Sequence, residues 1–228
     1  MLALKSTRLS QGGVSQVDWG NPITRKLIAD INPAATNASR LGSVPLLPIQ
    51  QGIALSQNGS SMLHVPTTPL GSEATILLYG NLIRSSSNIN FGIGNAAGGS
   101  QLFTIQGSLL SDSARALIRT VNGGGVTTAE SATVGLADAP VAVWCAVYDG
   151  TTSLKLYRDG FDDTASNNNT DASGSIATLS RFSLGGVRRS TDAFCASGNL
   201  QLLGFAWSRA LSPTEVLTVS ANPWQIFR

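Results

Sequence analysis

Short runs in which apolar and polar residues alternate recur along most of this chain, and a period of two predicts half-buried β-strands. Ile89-Asn90-Phe91-Gly92-Ile93-Gly94 and Gln101-Leu102-Phe103-Thr104-Ile105 are the clearest pair, with a loop from Asn95 to Ser100 between them. Residues 74–83 and 141–148 are apolar almost without interruption. Their β-branched and aromatic content, with glycines and serines at their ends, favours strands covered on both faces over helices. Shorter strands are expected at 53–55 and 61–65, split by Gln57-Asn58-Gly59, and at 114–121, 182–186 and 200–207. Ser153 to Arg158 and the residues from Phe161 onward are expected to pair across Asp159-Gly160, a two-residue turn with both residues at positive φ. Residues 167–175 read as a polar loop. Roughly a dozen short strands with turns about every 8–12 residues, and no fixed repeat, predict one sandwich or barrel.

The two ends of the chain break this pattern. Asn21-Pro22, Asn32-Pro33 and Pro45 interrupt the first 45 residues, where Leu27 to Ile31 is the convincing strand. Residues 1–16 read either as an extended arm that docks on another subunit or as a frayed terminus, leaving 17–228 as the domain. Near the other end a short helix is written out residue by residue. Ser212 suits the N-cap, Pro213 the first helical position and Glu215 the acid of a capping box, while Leu211 and Val216 can form a hydrophobic staple. Asn222-Pro223 stops it.

Composition narrows the function classes. Charged residues are 12% of the chain, against roughly 25% in an average soluble domain. The polar surface is therefore built from Ser, Thr, Asn and Gln, and such a surface tolerates close packing against neighbours. Net charge is +2, with no basic run longer than two residues, which argues against a nucleic-acid partner. No run approaches the ~20 apolar residues of a membrane helix. The opening residues are too polar for a signal peptide, so the chain is expected to be made in a cytosol. There, Cys145 and Cys195 are expected as two buried thiols rather than a disulfide, and the sequons at Asn37, Asn58 and Asn168 as turn residues.

Candidate chemistry is sparse. The acids lack the paired spacing of a sandwich glucanase, and Asp162-Asp163 read as a solvated pair after a turn. His64, the sole histidine, has no nucleophile motif beside it, and a thiol in an apolar strand such as Cys145 is inert packing. Gly92-Ile93-Gly94-Asn95 and Gly123-Gly124-Gly125 open no helix in a βαβ unit, so they read as bends. Calcium held by loop acids such as Asp149, Asp171 or Asp192 is conceivable, but each acid sits singly. No catalytic residue, cofactor or metal is assigned. For sugar stacking, Trp144 and Trp207 belong to strand cores and Trp19 and Trp224 to the sandwich edge, which leaves Tyr148 and Tyr157 as the carbohydrate-binding candidates.

Several segments together resemble the laminin-G-like, concanavalin-A-like jelly roll of bacteriophage structural proteins. They are Ser153 to Gly160 with its Leu-Tyr strand and Asp-Gly turn, Phe182 to Gly186, and Leu203 to Val216. The opening Asp18-Trp19-Gly20-Asn21-Pro22-Ile23-Thr24 and the ending Ala221-Asn222-Pro223-Trp224-Gln225-Ile226-Phe227 join them. The resemblance implies an all-β, concanavalin A-like (laminin G-like) jelly-roll β-sandwich of two antiparallel sheets with one short C-terminal helix. It further implies a non-enzymatic virion protein that decorates the capsid or forms part of the tail or a fibre. Its partners would be other virion proteins and copies of itself, with a trimer the first expectation. The alternative is a lectin-like module contacting host surface glycans.

Overall fold

The computed structural model describes residues 17–31, 63–68, 70–82, 89, 91–107, 113–120, 125–134, 141–151, 153–169, 176–189, 192–193 and 201–227. The strands are β1 (Leu27–Ile31), β2 (Leu63–Pro66), β3 (Ala74–Gly80), β4 (Phe91–Gly94), β5 (Leu102–Gly107), β6 (Ser113–Arg119), β7 (Thr127–Val134) and β8 (Ala142–Tyr148). They continue with β9 (Leu154–Arg158), β10 (Phe161–Asp162), β11 (Thr164–Asn169), β12 (Arg181–Leu184), β13 (Val187–Arg188), β14 (Asp192–Ala193) and β15 (Gln201–Trp207), before helix α1 (Pro213–Ala221). A six-stranded sheet runs β1-β15-β3-β8-β9-β10 and a seven-stranded sheet runs β11-β7-β6-β5-β4-β12-β2, every pairing antiparallel.

Alternation places each side chain. On the seven-stranded sheet Phe91, Ile93, Phe103, Ile105, Ala116, Ile118 and Phe182 point to the shared core. There they meet Ile76, Leu78, Trp144, Ala146, Tyr148 and Leu156 from the six-stranded sheet. The intervening residues of the six-stranded sheet, Leu77, Val143, Cys145, Val147, Phe205 and Trp207, point the other way into a second apolar cluster under α1 and the chain ends. Strands β3 and β8 therefore have apolar cover on both faces, which accounts for their unbroken hydrophobic runs. A register shift between Leu27 and Ala29 lets Leu27 join the outer cluster while Ala29 joins the inner one.

The segment around Asp18 and the C-terminal tail are one structural unit. Val17 bridges Phe227, the Asp18 N–H donates to the Ile226 carbonyl at 2.7 Å, and the Asn21 amide donates to the Gln225 carbonyl at 3.2 Å. The Trp207 indole donates to the Ile23 carbonyl at 2.8 Å. The Phe227 ring lies 5.6 Å from Phe205 and 6.4 Å from Trp224, and these contacts hold the tail. Trp19 departs from expectation. It lies in the turn that Asp18 closes by accepting from the Gly20 N–H, and the residue is 57% exposed rather than packed on an edge.

The α1 cap forms as the sequence dictates, with Ser212 and Glu215 bonding each other's backbone N–H. Arg209 adds to it, its Nη1 and Nη2 meeting the Glu215 carboxylate at 2.9 and 2.7 Å, and its Nε donating to the Arg25 carbonyl. The bond with Arg209, helped by Ser212 and opposed by burial, holds the Glu215 carboxyl at about 2, below its ordinary 4.5. A depressed carboxylate pKa stabilises the fold above the unfolded pKa, and that contribution disappears as pH falls through the folded value. The Glu215 side chain is 31% exposed, so after allowance for screening Glu215→Gln is expected to cost about 1–2 kcal/mol at neutral pH. Denaturant midpoints should show this gap closing between about pH 4.5 and pH 2, whereas a constant gap across that range would refute the assignment.

Two polar stretches form strands that their composition hides. Thr127 to Val134, which has no strand signal of its own, is β7, and Asn167 to Asn169, expected in a loop, lie in β11 paired with Thr127 to Ala129. Residues 170–175 of that expected loop, and the 53–59 hairpin, lie outside the described residues.

Candidate functional site

The Asp159-Gly160 turn takes the expected form, with φ of 51° and 91°. Asp159 closes it twice. Its N–H donates to the Val143 carbonyl at 2.8 Å, and its Oδ1 accepts from the Val143 N–H at 2.9 Å. A Cβ on Gly160 would lie 2.9 Å from the Leu217 Cα, so α1 rests directly on the turn. Beyond the turn the chain pairs back on β9 for two residues and then crosses to the other sheet as β11. Thr164 makes the crossing possible. Its hydroxyl accepts from the Leu156 N–H at 2.9 Å and approaches the Leu156 carbonyl at 3.2 Å, which covers the β9 edge.

This arrangement leaves a shallow groove of about 270 Å³ between hairpin and helix, lined by Lys155, Tyr157, Phe161, Asp162, Pro213 and Leu217 among others. Phe161 is 69% exposed and Leu217 43%. At the rim the Lys155 ammonium meets the Asp162 carboxylate at 2.9 Å. That hydrogen bond raises the Lys155 pKa. Burial pushes the Asp162 carboxyl up, but Lys155 and Thr164 together hold it below its ordinary value. Tyr157 forms part of the lining, its hydroxyl pushed up by burial. One neutralised ion pair and an apolar surface that carries the exposed Phe161 ring can bind by contact and stacking; they supply no activated nucleophile or base.

Of the residues singled out in the sequence, Asp162 stands at the groove rim and Tyr157 lies beneath its floor, while the others lie elsewhere. Tyr148 and Tyr157 are 1% and 3% exposed, on opposite faces of the six-stranded sheet. Neither offers an exposed stacking platform, because that sheet has no solvent face at these positions. The Tyr148 hydroxyl is occupied, donating to the Thr151 carbonyl at 3.0 Å. Asp162 and Asp163 are not a free acid pair, since Asp163 accepts from the Ser131 hydroxyl and Asp162 holds Lys155. Asp149 caps its own turn, with Oδ1 accepting from the Thr151 N–H at 3.0 Å and the Thr151 hydroxyl at 2.8 Å. Among the described residues no three His, Cys, Asp or Glu side chains converge as metal ligands. Cys145 is a free, buried thiol whose pKa burial raises, whereas Cys195 and Asp171 lie outside the described residues. His64 contributes its backbone to β2.

Phe161 and Leu217 are the residues that sequence reading passed over. Phe161 looked like one more alternating strand position. The available signal was its isolation, a lone aromatic between the turn glycine and two acids.

No protein-family model matches the sequence, and no curated protein matches it. Solved structures do match the fold. The binding domain of Paraclostridial Mosquitocidal Protein 1 aligns with a TM-score of 0.55 at 10% identity, over 89% of this chain and about half (53%) of that one. The native heptameric SAP-like pentraxin from Limulus polyphemus gives 0.54 at 12%, over 75% and 80%. The Ruminococcus gnavus IT-sialidase CBM40 bound to α2,3-sialyllactose gives 0.50 at 18%, over 68% and 85%. At these identities the likeness is one of architecture: the chain is an all-β, concanavalin A-like jelly-roll sandwich of two antiparallel sheets with a short C-terminal helix.

Proposed function

We propose that this chain is a non-enzymatic adhesion protein of a bacteriophage particle, made in the host cytoplasm and built into the capsid surface, tail or fibre through subunit contacts. The observation behind the reading is the surface of the Phe161 groove, an exposed aromatic on a braced hairpin beside charges that cancel. A buried thiol and acids engaged in turns and ion pairs also suit a protein that works by contact. The phage-like opening and closing motifs add support, because the fold brings them together as one unit. Quantifying the chain in purified particles tests the proposal. Many copies per particle would indicate the capsid and a few the tail or fibre, while absence from intact particles would overturn it.

A second reading, a lectin-like module for host glycans, has two observations in its favour. An exposed ring beside hydrogen-bonding side chains is a pairing that suits sugar contact, and the CBM40 neighbour holds sialyllactose on the same architecture. On this reading a glycan array should show binding that Phe161→Ala weakens by at least about tenfold. Binding that survives the substitution would rule out this groove as the sugar site.

A further inference from the structure

We propose that the face around Phe161 and Leu217 is a contact between two copies of this chain, isologous about a two-fold axis; the inference rests on the adhesion reading above and names its partner. Three observations lead to it. First, Phe161 is the most exposed of the large apolar residues among those described, and Leu217 stands beside it across the groove. Aromatic residues are enriched at such contacts because one ring buries a large area with few rotatable bonds.

Second, the rim charges are self-complementary. Lys155 and Asp162 sit side by side with opposite sign, both side chains more than 40% exposed. A two-fold axis passing close to this pair would bring each Lys155 beside the other copy's Asp162. A strongly acidic or basic partner would meet no net complement on this neutral rim. A net charge of +2 over the whole chain imposes little repulsion between copies.

Third, the face is braced before any contact forms. Asp159 locks the hairpin to β8 and Gly160 seats it on α1, so little backbone entropy is lost on docking. An isologous contact closes as a dimer, whereas the trimer expected from the sequence resemblance would need two unlike patches.

Sedimentation equilibrium and light scattering on the purified full chain test the inference. The native protein should show a concentration-dependent dimer below about 100 µM, weakened by at least about tenfold in Phe161→Asp and in Leu217→Asp. Lys155→Asp should weaken association by placing acid against acid, and adding Asp162→Lys should restore it. That rescue is independent of whether either apolar variant folds well. A native chain that stays monomeric, or a dimer indifferent to both Phe161→Asp and the charge exchange, overturns the proposal. The two readings fail separately. A monomer still found on particles refutes only the self-contact, and a dimer absent from particles refutes only the virion role.

Discussion

Trp207→Ala is expected to destabilise the fold by about 3–5 kcal/mol, a large share of the roughly 5–15 kcal/mol that holds a domain together. The indole is fully buried in the cluster between the six-stranded sheet and α1, 5.8 Å from the Phe205 ring. Truncation leaves a cavity in a layer whose neighbours are set by strand pairing: Trp207 faces Leu27 on one side and Thr75 on the other, so the backbone cannot collapse inward. The same side chain donates to the Ile23 carbonyl, tying the segment that precedes β1 to the last strand. Trp207→Phe keeps part of the ring, loses that donor and leaves a smaller cavity, so its cost combines both effects and should fall below that of alanine. Urea midpoints at unchanged slope give both values. A loss below about 1 kcal/mol for alanine would show that the chain ends dock without the indole.

Gly92→Ala should cost about 3 kcal/mol or more, although alanine ordinarily suits a strand better than glycine. The reason is the spacing inside the seven-stranded sheet. A Cβ at this position would lie 2.3 Å from the Phe103 carbonyl oxygen and 2.8 Å from the Thr104 Cα, both of them backbone of the neighbouring strand β5. Relief requires moving β4 away from β5, and Gly92 also pairs with Ser183 of β12 on its other side. Gly71→Ala is the control, because nothing lies within 4 Å of its built Cβ. That substitution should be neutral or stabilise by up to about 1 kcal/mol. Equal thermal melting of the two variants would show that β4 and β5 have room to separate.

Both predictions depend on neighbours that sequence order does not reveal. The Gly92-Ile93-Gly94 run suggested a bend, but its glycines are required by close contacts instead: Phe103 and Thr104 crowd Gly92, while Arg188 and Val187 lie over Gly94. Likewise, β7 and β11 were hidden because they form the polar side of the seven-stranded sheet, where pairing supplies the order that hydrophobicity does not. The candidate groove was illegible for a related reason. Phe161 and Leu217 are 56 positions apart in the chain and meet because Gly160 lets the helix sit on the hairpin.

Local signals alone determined the elements that local chemistry can specify: the β3 and β8 cores through their unbroken apolarity, the Asp159-Gly160 turn through its demand for positive φ, and the α1 start through its reciprocal cap. Each is settled within a few residues, so residue order suffices. Which aromatics are covered was decided by tertiary structure. Trp19 and Phe161 stand in solvent, while Tyr148 is enclosed between the two sheets and Tyr157 in the cluster on the outer face of the six-stranded sheet, because exposure depends on which distant segment lies over a ring.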